Sequence, residues 1–159
     1  MVYDVFIEIA KDSNIKYEYD KKLGALRLDR VLVPSMVYPE NYGYFPNTLA
    51  SDGDALDVVL ISDYSLIPGS YIKVRIVGVL DMEDEKGQDE KIIAVPSSEV
   101  DKTYDYVKDL DDLPIARLNK IKFFFENYKR MDNNKWAKVN NFSNKEKAIE
   151  IYNKSLLNS

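Results

Sequence analysis

The sequence contains no cysteine and no histidine. Without thiols there can be no disulfide, no cysteine nucleophile and no thiolate metal site. Without imidazole there is no Ser-His-Asp triad and no structural zinc site of the usual kind. Long apolar runs are also missing. Uninterrupted ones reach about four residues, far below the ~20 needed to span a bilayer, so no membrane association is expected. No basic stretch precedes an apolar run at Met1-Val2-Tyr3-Asp4, so no secretory signal is expected and a cytoplasmic location is the default. Excess positive charge is lacking as well. The 22 Lys and Arg face 27 Asp and Glu, for a net charge of −5, the wrong sign for a free-standing nucleic-acid binder.

What is present is a chain of 159 residues, 45% apolar and 31% charged, enough for a single domain over 1–159 with one sizeable core. Its chemistry must come from carboxylates, Lys, Arg, Tyr and whatever hard cation the carboxylates hold.

Hydrophobic periodicity places strands first. Val2 to Ala10 turns Tyr3, Val5, Ile7 and Ile9 to one face. Ile15 to Asp20 alternates cleanly, and Lys21-Lys22-Leu23-Gly24 reads as a hairpin turn leading into a strand over Ala25 to Val33. In that register Leu26, Leu28, Arg30 and Leu32 share a face, so Arg30 implies either a bulge or a snorkelling side chain. Pro34 to Pro46 is a loop rich in Pro and Tyr. Leu56 to Ile61 reads as a strand buried on both faces. Tyr71 to Leu80 and Ile92 to Pro96 are further strands, joined by an acidic hairpin over Asp81 to Glu90. A helix follows Pro114, with Ile115, Leu118, Ile121, Phe124, Phe125 and Tyr128 at helical spacing. Ser143-Asn144-Lys145-Glu146 has the form of a capping box before a second helix striped by Ala148, Ile149, Tyr152 and Leu156. Five or more short strands followed by two helices suggest an α+β domain on a small antiparallel barrel.

Three constellations carry chemistry. Asp52-Gly53-Asp54-Ala55-Leu56-Asp57 puts three carboxylates within six residues at the mouth of a buried strand. For Asp52 and Asp54 a solvated Gly turn is the plain alternative. Asp57 shares a strand face with Val59 and Ile61, where an unpaired carboxylate would cost several kcal/mol that a bound cation would offset. An EF-hand fails on spacing, since Asp57 and Asp63 stand where Gly and Glu are needed. The second constellation, Asp81 to Lys91, contains Asp84 and Asp89. Alone it would read as a solvated hairpin tip, but it could close a metal site with the first. The third is cationic and phenolic: Lys16, Arg30, Tyr38, Tyr42, Lys91, Tyr128 and Lys129, groups able to grip phosphate oxygens. Much of the tyrosine content can equally be half-buried packing.

These stretches, together with Glu8, Ile15-Lys16-Tyr17-Glu18, Gly24-Ala25-Leu26, Asp29-Arg30, Tyr38-Pro39, Asn41-Tyr42-Gly43-Tyr44, Val77-Gly78-Val79-Leu80, Ala94-Val95-Pro96, Asp111-Asp112-Leu113-Pro114, Phe124-Phe125-Glu126 and Tyr128-Lys129, resemble the family I soluble inorganic pyrophosphatases. The similarity runs from about Val5 to Val139. It implies a five-stranded barrel of the OB type with flanking α-helices, and Mg²⁺-dependent hydrolysis of inorganic diphosphate to two orthophosphates by a metal-activated water, with several ions per active site and no covalent intermediate.

The resemblance also implies roles. Asp52, Asp57 and Asp89 would hold the tightest metal, with Asp57 bridging to a second. Asp84 and Asp89 would hold an ion brought with substrate, and Glu18 another through water. Glu8 would stand behind these ligands. Lys16 and Tyr42 would grip the attacked phosphate, and Arg30, Tyr128 and Lys129 the departing one. Asp54 would orient and help deprotonate the water, while Lys91 and Tyr38 tune the carboxylates. The signature's frequent Pro is Ala55 here, and Ala10 replaces another. The missing histidines remove imidazoles that some bacterial members use between subunits.

The same look-alikes imply a homo-oligomer, a hexamer. A helix cannot turn Phe123, Phe124 and Phe125 all to one core, so Phe123 is either the interface candidate or an isolated exposed aromatic. Two rivals would read otherwise. A nucleic-acid-binding OB module needs a basic, aromatic face, which the acidic loops oppose. A non-catalytic Ca²⁺ domain has no use for Lys16, Arg30 and Lys129 beside the acids.

Overall fold

The structure, a computed structural model, describes residues 1–157. In chain order its elements are β1 (Tyr3–Ile9), β2 (Ile15–Asp20), β3 (Ala25–Val31), β4 (Asn41–Tyr44), β5 (Asp57–Leu60), β6 (Tyr71–Asp84), β7 (Gly87–Gln88), β8 (Lys91–Pro96), α1 (Ile115–Asn127), β9 (Ala137–Asn144) and α2 (Lys145–Ser155). β1 pairs with β4, β4 with β5, β5 with β8, β8 with β6, and β6 returns to β1. These five strands close on themselves, which leaves no open edge, and form the OB-type barrel with its flanking helices.

The long strand β6 makes the closure possible by changing partners along its 14 residues. Tyr71–Val74 pair with β1, Val74–Leu80 with β8, and Gly78–Asp84 with β9. The register shifts between Ile76 and Gly78, a bulge of the kind that bends a strand round a barrel. The parallel pair β5–β8 is buried on both faces, as its unbroken apolar run requires. Val58 and Leu60 join one apolar cluster, covered by Ala148 and Tyr152 of α2, whereas Val59 and Ile61 join the other, covered by Ile121, Phe124 and Phe125 of α1.

Several sequence expectations need correction. β3 does not hold one apolar face. Lys16 pairs with Arg30 but Tyr17 with Leu28, so Asp29 is an extra residue. This bulge separates the two halves of the strand: Leu32 is buried, Leu28 is half exposed, and Arg30 turns inward. β9 was not foreseen, because Ala137–Asn144 is mostly polar and pairs only with β6. The cap of α2 is Asn144, whose side chain accepts from Lys147 N–H at 3.0 Å, while Ser143 is still in β9. The acidic hairpin is solvent-exposed only at its tip, residues 85–88. β6 runs through it, and strand alternation buries Met82 and Asp84. Phe123 is exposed and Phe124 and Phe125 are buried, as the helix geometry requires.

Gly43 allows β1 and β4 to lie close. A Cβ there would collide with the Phe6 carbonyl, 2.9 Å from its carbon and 3.1 Å from Ile7 Cα. Backbone atoms in a closed barrel cannot yield as a side chain can. Overpacking of this kind typically costs about 1–3 kcal/mol. Gly43→Ala is therefore expected to lower the melting temperature by about 2–12 °C, measurable by circular dichroism. An unchanged melting temperature would contradict this close approach.

Candidate active site

β5 and β8 run parallel with Asp57 opposite Lys91, so both side chains leave the barrel at the same end. The ammonium of Lys91, 2% exposed, donates to Asp57 Oδ2 at 2.8 Å, to Asp89 at 3.0–3.1 Å and to the Tyr42 hydroxyl at 2.6 Å. An ammonium has three protons, and all three are placed. Burial opposes the charge, but Asp57, Tyr42 and Asp89 together hold the Lys91 pKa well above the usual lysine range. The Tyr42 oxygen is used as an acceptor, so its own proton is left to donate. Burial, reinforced by Asp57, keeps that phenol far above its ordinary pKa.

Around this cluster opens a cleft of about 490 Å³. Barrel, hairpin and helix each contribute a wall. The β2–β3 hairpin supplies Lys16, Glu18, Asp29 and Arg30. The loop into β5 supplies Asp52 and Asp54. The end of β6 supplies Asp84, and Tyr128 and Lys129 follow α1 directly. Every one of the sequence-selected residues lines this cleft except Tyr38. That ring lies behind it, buried, with its centroid 5.3 Å from Tyr42 and 4.4 Å from Phe124.

The cations are paired with internal acids. Lys129 Nζ lies 2.8 Å from Asp84 and 3.3 Å from Glu85, and Lys16 Nζ lies 2.7 Å from Asp29. Arg30 pairs with Asp132 and lies 3.6 Å from Asp29. Although burial pushes the Asp84 carboxyl up, the Lys129 hydrogen bond brings it below the usual carboxylate range. Asp89 moves the other way. Burial raises its pKa, and Asp57 and Asp84 add to the rise against the pull of Lys91. Asp52 is raised by burial and then by Asp89 and Asp54. Its Oδ1 also accepts from Asp54 N–H at 3.0 Å. The segment is thus a tight turn around Gly53 (φ +91°) rather than an extended strand with two like-facing acids.

Nine acidic and seven basic side chains line the cleft, leaving it net negative. Among the described residues no three acids converge on a point that could hold a metal ion, since Lys91 and Lys129 stand between them. The donor chemistry nevertheless fits a hard divalent cation. All candidate ligands are carboxylate oxygens, and two of them, Asp52 and Asp89, are crowded by like charge that such an ion would relieve. Asp57 needs no cation to be tolerated where it stands, because Lys91 offsets its burial.

Sequence reasoning assigned no site role to Asp29, Glu85, Asp132 and Lys135, which line the cleft or pair with residues that do. The bulge is what turns Asp29 toward Lys16. Asp132 lies in a plain polar loop, and nothing in its spacing ties it to Arg30, about a hundred residues earlier.

Comparison with known proteins points to one family. The family model described as inorganic pyrophosphatase matches residues 5–158. The chain is 56% identical over 152 residues to an inorganic pyrophosphatase of Helicobacter pylori, covering 96% of this chain and 88% of that protein. It is 48% identical over 153 residues to one of Saccharolobus solfataricus, covering 96% and 89%. A solved Helicobacter pylori inorganic pyrophosphatase superposes with a TM-score of 0.95 at 55% identity, covering 97% of this chain and 91% of that one. The Thermus thermophilus structure gives 0.93 at 43%, covering 97% and 88%.

Glu8, at the inner end of β1, accepts from Tyr19 N–H at 2.9 Å. Burial pushes its carboxyl up to about 7, and nearby Asp57 and Glu18 add to the rise. The fold therefore favours the protonated form. The stability this contributes is complete below the unfolded value of about 4.3 and is lost as pH rises through about 7. In metal-free buffer the melting temperature should fall between about pH 5 and pH 8, reflecting up to ~3 kcal/mol. Glu8→Gln should flatten that fall. An equally steep fall in the variant would assign the pH dependence elsewhere.

Proposed function

The chain belongs to the inorganic pyrophosphatase family, whose members hydrolyse pyrophosphate, and we propose that this chain splits diphosphate into two orthophosphates by direct attack of water, with several Mg²⁺ ions and without a covalent intermediate. The observation that carries this reading is the pairing, in one cleft, of the buried Asp57–Lys91–Asp89 cluster with the separate cations Lys16, Arg30 and Lys129. Diphosphate is a compact polyanion without an apolar handle, so only ionic and hydrogen-bonding groups can hold it. Phosphoryl transfer asks for in-line positioning and charge stabilisation rather than a protein nucleophile.

Asp52, Asp57, Asp84, Asp89 and Glu18 would hold the Mg²⁺. Bound there, Mg²⁺ supplies Lewis acidity, which lowers the pKa of water and neutralises phosphate oxygens. Lys16 and the free Tyr42 proton bind the attacked phosphate. Arg30, Tyr128 and Lys129 take up charge on the departing one, giving up Asp132, Asp84 and Glu85 for phosphate oxygens. Asp54 stands exposed at the lip of the cleft and, among the described residues, takes part in no ion pair. It is the carboxylate suited to receive a proton from the attacking water. Glu8, Lys91 and Tyr38 hold these groups in place.

Other expectations complete the proposal. No helix among the described residues is long and apolar enough to cross a membrane, consistent with work in the cytoplasm. A homo-oligomer, a hexamer, is supported by a second, more apolar cleft of about 810 Å³, where exposed Phe123 lies with Met36, Val37 and Pro39. This larger cleft has no acidic cluster and is unsuited to diphosphate with its cations.

Orthophosphate release from diphosphate, assayed with and without Mg²⁺, tests the reading, and release that ignores Mg²⁺ would refute it. General-base assistance is typically worth ~10²–10⁴-fold. Asp54→Asn should thus reduce turnover by about two orders of magnitude or more, with Mg²⁺ affinity falling much less. Turnover within about threefold of wild type, or outright loss of Mg²⁺ binding, would make Asp54 a bystander or a ligand instead.

A further inference from the structure

We infer that the segment running from the end of α2 through Leu157 is a strap that positions the acidic loop, acting on Asp52 and Asp54 through its backbone; this rests on the cleft being the pyrophosphatase site. The last carbonyls of a helix have no partners within it. In α2, the Ser155 carbonyl accepts instead from Leu49 N–H at 2.8 Å. Leu156 leaves the helix in an extended conformation (φ −61°, ψ 130°) and bridges Thr48 in antiparallel fashion. Leu157 N–H then donates to the Asn47 carbonyl at 2.9 Å, with Asn47 itself in the left-handed region (φ 62°). Two hydrogen bonds therefore clasp residues 47–49, which lie outside every strand of the barrel.

Both ends of the clasp transmit position. α2 is a firm post, because Ala148 is buried against the barrel and the Tyr152 ring stands 5.0 Å from Phe45 and 4.6 Å from Tyr3. On the loop side, Thr48 Oγ1 donates to the Phe45 carbonyl at 2.6 Å and accepts from Leu56 N–H at 2.9 Å, closing the base of the loop. Ala50, the residue after the clasp, donates its N–H to the Asp54 carbonyl at 2.7 Å. A shift at Leu49 thus reaches Asp54 through a single residue. The side chains of Leu49 and Leu157 are themselves about half exposed, so packing contributes little and the two N–H groups carry the connection.

Leu157 lines the same cleft as Asp54 but is not hydrogen-bonded to it; the strap is a positioning device for the proposed base. Misplacing a reacting group by about 1 Å can cost ~10²-fold in rate. Leu157→Pro deletes the strap's N–H, and the residue before it already has the extended conformation that proline demands. Leu157→Ala keeps the N–H and trims the side chain. The experiment measures kcat and KM for diphosphate with Mg²⁺, and amide hydrogen exchange at Leu49, Ala50 and Leu157 without it. Leu157→Pro should lower kcat about tenfold with KM within about twofold, since the strap's hydrogen bonds go to residues 47–49 and not to Lys16, Arg30 or Tyr42. Exchange at Leu49 and Ala50 should quicken, and Leu157→Ala should behave as wild type. Wild-type kcat and exchange in Leu157→Pro would overturn the strap, as would equal losses in both variants. Fast exchange at both Leu49 and Leu157 in the wild-type protein would overturn it whatever the variants do. A wild-type chain that releases no orthophosphate would instead sink the pyrophosphatase reading, and the exchange data would still decide the strap.

Discussion

A single buried ammonium organises this molecule's working end. Lys91 sits where solvent cannot satisfy it, and an unpaired charge there would cost several kcal/mol. The parallel β5–β8 register offsets that cost by bringing Asp57 alongside, Asp89 lies two residues away in sequence, and Tyr42 reaches in from β4. Aromatic faces complete the enclosure: Lys91 Nζ stands 5.2 Å from the Tyr42 ring centroid and 5.6 Å from that of Phe125. Removing one partner from such an arrangement typically costs about 3–5 kcal/mol, because the remaining charges are left uncompensated.

The rest of the cleft depends on this arrangement. Phe124 and Phe125 of α1 pack on Tyr38 and Tyr42, and that packing places Tyr128 and Lys129 opposite the acids of β6. The hairpin adds the opposite wall, where the bulge at Asp29 turns Arg30 inward. Lys16, Arg30, Lys91 and Lys129 are each held by a carboxylate, whose place beside the cation suits a phosphate oxygen. The ammonium groups offset part of the repulsion among the acids, which still raises Asp52 and Asp89. In the proposed reaction, diphosphate and its cations would exchange partners with groups already in place.

Much of this was legible in the sequence. The run Leu56 to Ile61 and the alternation of Ile15 to Asp20 identified their strands, and the order of short motifs pointed to barrel and cleft together. Asp57 was singled out for a sound reason, a carboxylate on an apolar strand face. Its partner in the structure is an ammonium, however, because pairing across two parallel strands leaves no trace in local spacing. The same blindness hid β9, whose polar residues make sense only beside β6, and the partnership of Arg30 with Asp132. Taken alone, the run holding Asp84 and Asp89 reads as a solvated tip, because a hairpin tip and the end of a barrel strand have the same composition; only the family resemblance marked the two as metal ligands.

The protonation state of Lys91 tests the account most directly. Nitrogen-detected NMR of the lysine side chains in the metal-free protein reports each ammonium separately. If Asp57, Asp89 and Tyr42 hold the charge as described, the Lys91 resonance stays that of an ammonium at pH values beyond the ordinary lysine pKa of about 10.4, with slowed proton exchange. A Lys91 that loses its proton at or below that value would show that burial prevails over its partners, and would contradict the central role given to it here.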